Sequence, residues 1–201
     1  LFDHTTRKPI ELLKLNAYTA AAHNGAFVFI DAVDPAGSVS SDVYETMGKL
    51  YKDLKEYDRY YASAELIQEA AVYFGTESKF DISDTETDPL SASEQMPHLE
   101  SALGAARALI RNHIPFGVIT REHLDKLDTY KVVILPNVLA IDDEEINKFR
   151  RYVYNGGNLY ASKYSSFFCS KTGKRDNLGL SDVFGVRKIG VTDGHISYMA
   201  P

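Results

Sequence analysis

The sequence predicts an α/β fold: a doubly wound, mostly parallel sheet with helices on both faces, preceded by a separate helix–strand–helix unit. Two observations predict it. Residues 131–135, Lys131-Val132-Val133-Ile134-Leu135, form a continuous β-branched apolar run, which suits a strand buried on both faces, where a half-exposed strand would alternate. Residues 130–163 then read as one complete strand–helix–strand crossover, about as short as a right-handed parallel connection can be.

That crossover is legible residue by residue. Pro136 and Asn137 stop the first strand. Asp142 stands where it can accept from the free N–H groups of the next helix, and Glu145, three residues on, completes a capping box. Ile146, Phe149 and Val153 share one helix face. Asn155-Gly156-Gly157 supplies the left-handed conformations that end the helix, and residues 158–162 return as the next strand.

Upstream, the spacing of Ile10, Leu13, Ala17 and Ala20 to Ala22 predicts a helix over about 6–23, with Pro9 in its first turn and Asn24-Gly25 as C-cap. Residues 26–30, Ala-Phe-Val-Phe-Ile, predict a strand, and the polar turn 31–37 follows. A long helix to about Leu66 is expected next, capped by Asp42 with Glu45. Val43, Met47, Leu50, Leu54, Tyr57 and Tyr61 make its apolar stripe, and Tyr44, Tyr51 and Tyr60 a second. One strand between two helices has no sheet to join, so residues 1–68 read as the end of something larger. Residues 69–201 form the second domain.

In that domain residues 71–75 predict a strand, and residues 76–97 a long acidic loop expected to be the most protease-sensitive site. Residues 98–113 predict a helix presenting Leu99, Leu103, Ala106 and Ile110, residues 115–119 a strand, and 122–127 a short helix. Beyond the central crossover, 169–177 is rich in turn residues, 180–184 predicts a short helix and 186–191 a strand. The alternation of strands and helices is that of a flavodoxin-like sheet, with the first strand between the second and third.

Composition excludes several functions. The net charge is -6 and none of the 22 basic residues form a run, which argues against nucleic acid as a partner. No apolar run approaches the ~20 residues needed to span a bilayer, so no membrane is expected either. Leu1-Phe2-Asp3-His4 is neither a signal peptide nor a natural start, and suggests a processed or truncated product. Cys169 is the single cysteine, which rules out an internal disulfide, and the chain is expected to be soluble, in either the cytoplasm or the periplasm. The six histidines have no ligand-like spacing, so no metal is expected. After the first strand, Gly75-Thr76-Glu77-Ser78 leads into no immediate helix and no glycine-rich loop, so no phosphate-bearing cofactor is expected.

Sheets of this kind bind ligands outside the carboxyl ends of their strands. A class I glutamine-amidotransferase-like sheet would hold a nucleophile there, on a glycine-flanked elbow beside a histidine. The equivalent place reads Tyr160-Ala161-Ser162-Lys163-Tyr164, without the glycines, and Cys169 lies seven residues beyond Ser162. Asp31 and Asp34 follow the strand 26–30, the position that faces substrate in a (β/α) barrel. Both also suit turn hydrogen bonds before Pro35, and the two readings stay open.

Residues 23–37, His-Asn-Gly-Ala-Phe-Val-Phe-Ile-Asp-Ala-Val-Asp-Pro-Ala-Gly, resemble the last strand of the catalytic barrel in α-L-fucosidase-like and β-galactosidase-like glycoside hydrolases. Residues 71–74, 114–119, 130–137 and 152–159 resemble the domain that follows it. In β-galactosidases related to family 42 that domain is amidotransferase-like, lacks a working triad and is called the trimerisation domain. The resemblance implies a C-terminal piece of a glycosidase of carbohydrate metabolism: the remnant of a (β/α)8 barrel, then a non-catalytic assembly domain. Glycoside hydrolysis needs two facing carboxyl groups, and the family's lie on barrel strands earlier than anything present, so no catalytic residue carries over. Whether the chain is itself an enzyme stays open. A homo-oligomer is expected, with carbohydrate met through the parent enzyme. The alternative is a stand-alone amidotransferase-like enzyme or small-ligand binding domain.

Overall fold

A computed structural model describes residues 7–33, 35–79 and 96–190. The chain divides into two compact units, Leu1–Leu66 and Ile67–Pro201. Asp34, Val191 and most of the acidic loop 76–97 lie outside the described residues.

In the first unit, helices α1 (Ile10–Ala22) and α2 (Ser41–Lys55) bury Ala17, Leu50 and Leu54 against each other. Lys14 pairs with Asp53 at 2.8 Å across them. Three expectations fail here. Residues 26–30 form no strand. Their side chains alternate, with Phe27 and Phe29 packed on the Tyr51 ring at centroid distances of 5.6 and 5.8 Å, while Val28 and Ile30 are exposed. An apolar run supplies the side chains of a strand but not the neighbour that accepts its hydrogen bonds, and among the described residues this unit has none. The long helix breaks after Lys55 and resumes as the single turn α3 (Asp58–Tyr61). Its N-cap position is Ser40, so Asp42 already lies in the first turn, and Glu45 pairs with Lys49 at 2.7 Å instead of capping.

The second unit is a four-stranded, all-parallel sheet in the order β2-β1-β3-β4, with β1 Ala70–Tyr73, β2 Phe116–Ile119, β3 Val132–Leu135 and β4 Asn158–Ala161. This is the flavodoxin-like order that the alternation predicts. Helix α4 (Pro97–Arg111) packs on one face through Ala102, Ala105 and Leu109. On the other face lie α5 (Asp143–Tyr154) and the 3-10 turns Arg121–Thr129, which take the place of the short helix expected at 122–127 and kink at Lys126. The main core is on that side: Tyr73, Val133, Leu135, Ile146 and Phe149 are all buried.

Two further expectations change. The turn-rich segment after β4 folds into a small antiparallel hairpin, β5 (Phe168–Cys169) with β6 (Gly173–Lys174), and the bridge Ala140–Phe168 ties it to the loop after β3. No strand forms over 186–190. Helix α6 (Ser181–Phe184) ends at Gly185 (φ 63), and the Val186 N–H turns back to the Ser181 carbonyl, so it is not available to a strand partner.

Candidate functional site

The carboxyl end of the sheet, where ligands bind in this architecture, is filled by the chain's own polar groups. His98, at the start of α4, is 1 % exposed. Its Nε2 accepts from the Gly75 N–H at 3.1 Å and its Nδ1–H donates to the Pro136 carbonyl at 2.8 Å, so one neutral imidazole staples the ends of β1 and β3. The tautomer follows from those two partners. Burial lowers the His98 pKa below its ordinary value, partly opposed by the bond to Pro136. Its ring stacks on Phe74 at 4.9 Å. Ser78 fills the space after β1 by accepting from the Ala140 N–H at 2.8 Å and donating to the Ala140 carbonyl at 3.2 Å.

After β4 the chain does make a tight elbow, with Lys163 in the left-handed region at φ 50. The side chain at that point is an exposed lysine. Ser162 Oγ accepts from the Asn137 N–H at 3.0 Å, and Ser165 Oγ donates to the Ser162 carbonyl at 2.8 Å. A nucleophile needs a base at its hydroxyl. Ser162 has a backbone amide there.

A second buried polar group lies at the N-terminus of α5. The predicted capping box forms: Asp142 and Glu145 are both buried, and Glu145 Oε2 accepts from the Asp142 N–H at 2.7 Å. Glu145 Oε1 accepts from the Tyr73 hydroxyl. Burial and that carboxylate push the Tyr73 phenol well above its usual range. Burial alone would raise Asp142, but the Ser170 hydroxyl and amide, the Cys169 thiol and Arg121 outweigh it and hold the carboxyl below its usual range. Their distances to its oxygens are 2.7 and 2.9 Å for Ser170, 3.4 Å for the Cys169 sulfur and 3.2 Å for Arg121. Cys169, 2 % exposed, thus has its sulfur turned inward as a donor to the Asp142 carboxylate. The arrangement locks helix, hairpin and sheet together and provides no activated nucleophile.

Asp31 Oδ1 accepts from its neighbour Ala32 N–H at 2.9 Å, the turn bond expected of it, while its Oδ2 is buried without a partner. Asp34 lies outside the described residues. Among the described residues no group of three or more His, Cys, Asp and Glu is placed to hold a metal, and no helix is long and apolar enough to cross a membrane. Sequence reasoning missed His98. Its spacing with Ala102, Ala105 and Leu109 is helical and marks it as part of the stripe that α4 buries.

At the carboxyl end of this parallel, flavodoxin-like sheet the described polar side chains His98, Ser78 and Ser162 are thus bonded to the chain's own backbone. Residues 68–173 match the family model of the β-galactosidase trimerisation domain, more than half of the 201-residue chain. The chain belongs to that family, whose domains are non-catalytic and assemble GH42 glycoside hydrolases into homo-oligomers. Among solved structures, the β-galactosidase from Bacillus circulans sp. alkalophilus is 19 % identical with a TM-score of 0.69, over 94 % of this chain and 30 % of that one. A catalytic mutant of a GH42 β-galactosidase from G. stearothermophilus is 22 % identical with a TM-score of 0.69, over 91 % of this chain and 28 % of that one. The α-L-fucosidase isoenzyme 2 from Paenibacillus thiaminolyticus is 21 % identical with a TM-score of 0.58, over 82 % and 23 %. At these identities the likeness is one of fold, and the chain spans less than a third of each of the three proteins.

Proposed function

We propose that the chain is the C-terminal assembly part of a glycoside hydrolase of carbohydrate metabolism, with the hydrolytic centre carried by other segments of the parent protein. The observation that carries the reading is the trimerisation-domain match over residues 68–173. In this reading residues 1–68 are the end of a (β/α)8 barrel. The run 26–30, packed on Tyr51 by one set of side chains and bare on the other, is then a barrel strand without its neighbours. Asp31, with one carboxylate oxygen turned to its own backbone and the other buried unpaired, and Asp34 border the saccharide that the parent enzyme binds.

The chain by itself hydrolyses no aryl glycoside, because glycoside cleavage needs two carboxyl groups across the bond. Turnover of a nitrophenyl galactoside or fucoside by the purified chain, abolished by Asp31→Asn, would overturn the proposal.

A further inference from the structure

Helix α4 carries two apolar stripes and its own sheet uses one. Ala102, Ala105 and Leu109 pack into one apolar cluster with side chains of β1, β2 and β3, while Leu103 and Ile110, in line with the half-buried Leu99 and Ala106, lie on another side of the helix. The stripe 99, 103, 106, 110 has the spacing of a buried helix face. Yet Ile110 is 62 % exposed and Leu103 is exposed as well.

The sheet beneath is covered just as unevenly. The register places Val118, Val72, Ile134 and Tyr160 in one row across all four strands, on the face where α4 lies. Val72 in the middle is buried, but Val118 and Tyr160 at the two edges are 59 % and 61 % exposed. Apart from Asn158, every strand residue on this face is apolar. The opposite face carries α5, the 3-10 turns and α6, and has no such gap. Two uncovered apolar surfaces on one small domain mark interaction sites, and an exposed Tyr beside aliphatic side chains has interface composition.

Resting on the assembly reading above, we infer that these are the two halves of the contact between copies: the β3–β4 flank of one chain, centred on Ile134 and Tyr160, seats on the Leu103–Ile110 stripe of α4 in the next. A ring of three has head-to-tail contacts, which join two different surfaces, and the domain offers two. The occupant is a second copy because the family is one of trimerisation domains.

The test is sedimentation of the full chain and its variants at micromolar concentration. Tyr160→Asp and Ile110→Asp are each expected to weaken self-association about 30-fold or more, the effect of losing one central interface side chain. Tyr154→Asp, at a 91 % exposed residue ending α5, is expected to leave the mass unchanged. Mixing the two monomeric variants is then decisive, since Tyr160 of the Ile110→Asp chain meets an intact Ile110 on the Tyr160→Asp chain, and a two-chain species forms. A mixture that stays monomeric refutes the head-to-tail pairing. Variants that keep the wild-type mass, with or without a lower melting temperature, refute the surface while leaving the assembly reading standing. A wild-type chain that is monomeric throughout refutes the assembly reading itself.

Discussion

Replacing His98 by Ala removes the staple between β1 and β3. The Gly75 N–H and the Pro136 carbonyl each lose a buried partner, at 3.1 and 2.8 Å. Leaving a buried donor or acceptor unsatisfied costs about 1–3 kcal/mol for each of the two, and the lost ring stack on Phe74 adds about 0.5–1.5 kcal/mol, so the expected loss is about 2.5–7.5 kcal/mol. The low end corresponds to water entering the vacated space. Against a domain stability of about 5–15 kcal/mol this is a large fraction. The same residue sets a pH dependence, because a protonated imidazole cannot accept from Gly75. The folded pKa lies below the ordinary value, chiefly through burial. Below about pH 6.5 the unfolded chain therefore binds the proton before the folded one does, so stability is complete above that value and falls as the pH drops, by at most about 1.4 kcal/mol per pH unit. Urea unfolding at fixed protein concentration, at about pH 7.5 and about pH 5.5, measures both effects. His98→Ala is expected to be less stable at the higher pH and to show a flatter pH response than the wild type. A loss under about 1 kcal/mol, or parallel pH responses, would refute the account of His98.

Other perturbations probe the rest of the closed end. Tyr73→Phe strips Glu145 of its buried hydroxyl donor and is expected to cost about 1–3 kcal/mol in urea unfolding; unchanged stability would contradict the buried-carboxylate account. In Gly157→Ala the new methyl group runs into the Tyr152 ring, whose hydroxyl donates to the Tyr130 carbonyl at 3.0 Å. Overpacking there is expected to cost about 1–3 kcal/mol, and an unshifted melting temperature would show that the ring moves freely. An aromatic disulfide reagent is expected to titrate Cys169 slowly in the native chain and completely in urea. Fast native labelling would mean an accessible thiolate and would revive the amidotransferase-like alternative.

The parts of the fold that the sequence made legible are those written in local pattern. The runs 131–135 and 158–162 are strands because β-branched and aromatic residues there are bounded by Pro136-Asn137 and Gly156-Gly157, and the capping box of Asp142 with Glu145 needs only a three-residue spacing. The misses depend on distant partners. Residues 26–30 have strand composition but no strand beside them among the described residues, so composition alone misled. The expected face of α4 was the wrong one. Both stripes are apolar at helical spacing, and the small Ala102 and Ala105 permit the close approach to the sheet that the bulkier Leu103 and Ile110 would block. His98 and Gly75 are 23 residues apart and Tyr73 and Glu145 are 72, so no local period announces the network that closes the sheet's ligand end.

Native mass spectrometry of the unmodified chain counts the copies held together, and residues 68–173 match a trimerisation domain. The account predicts a species of three chains at micromolar concentration that incubation with galactosides or fucosides leaves unchanged. A single-chain species alone, from a sample that is folded and compact, would contradict it.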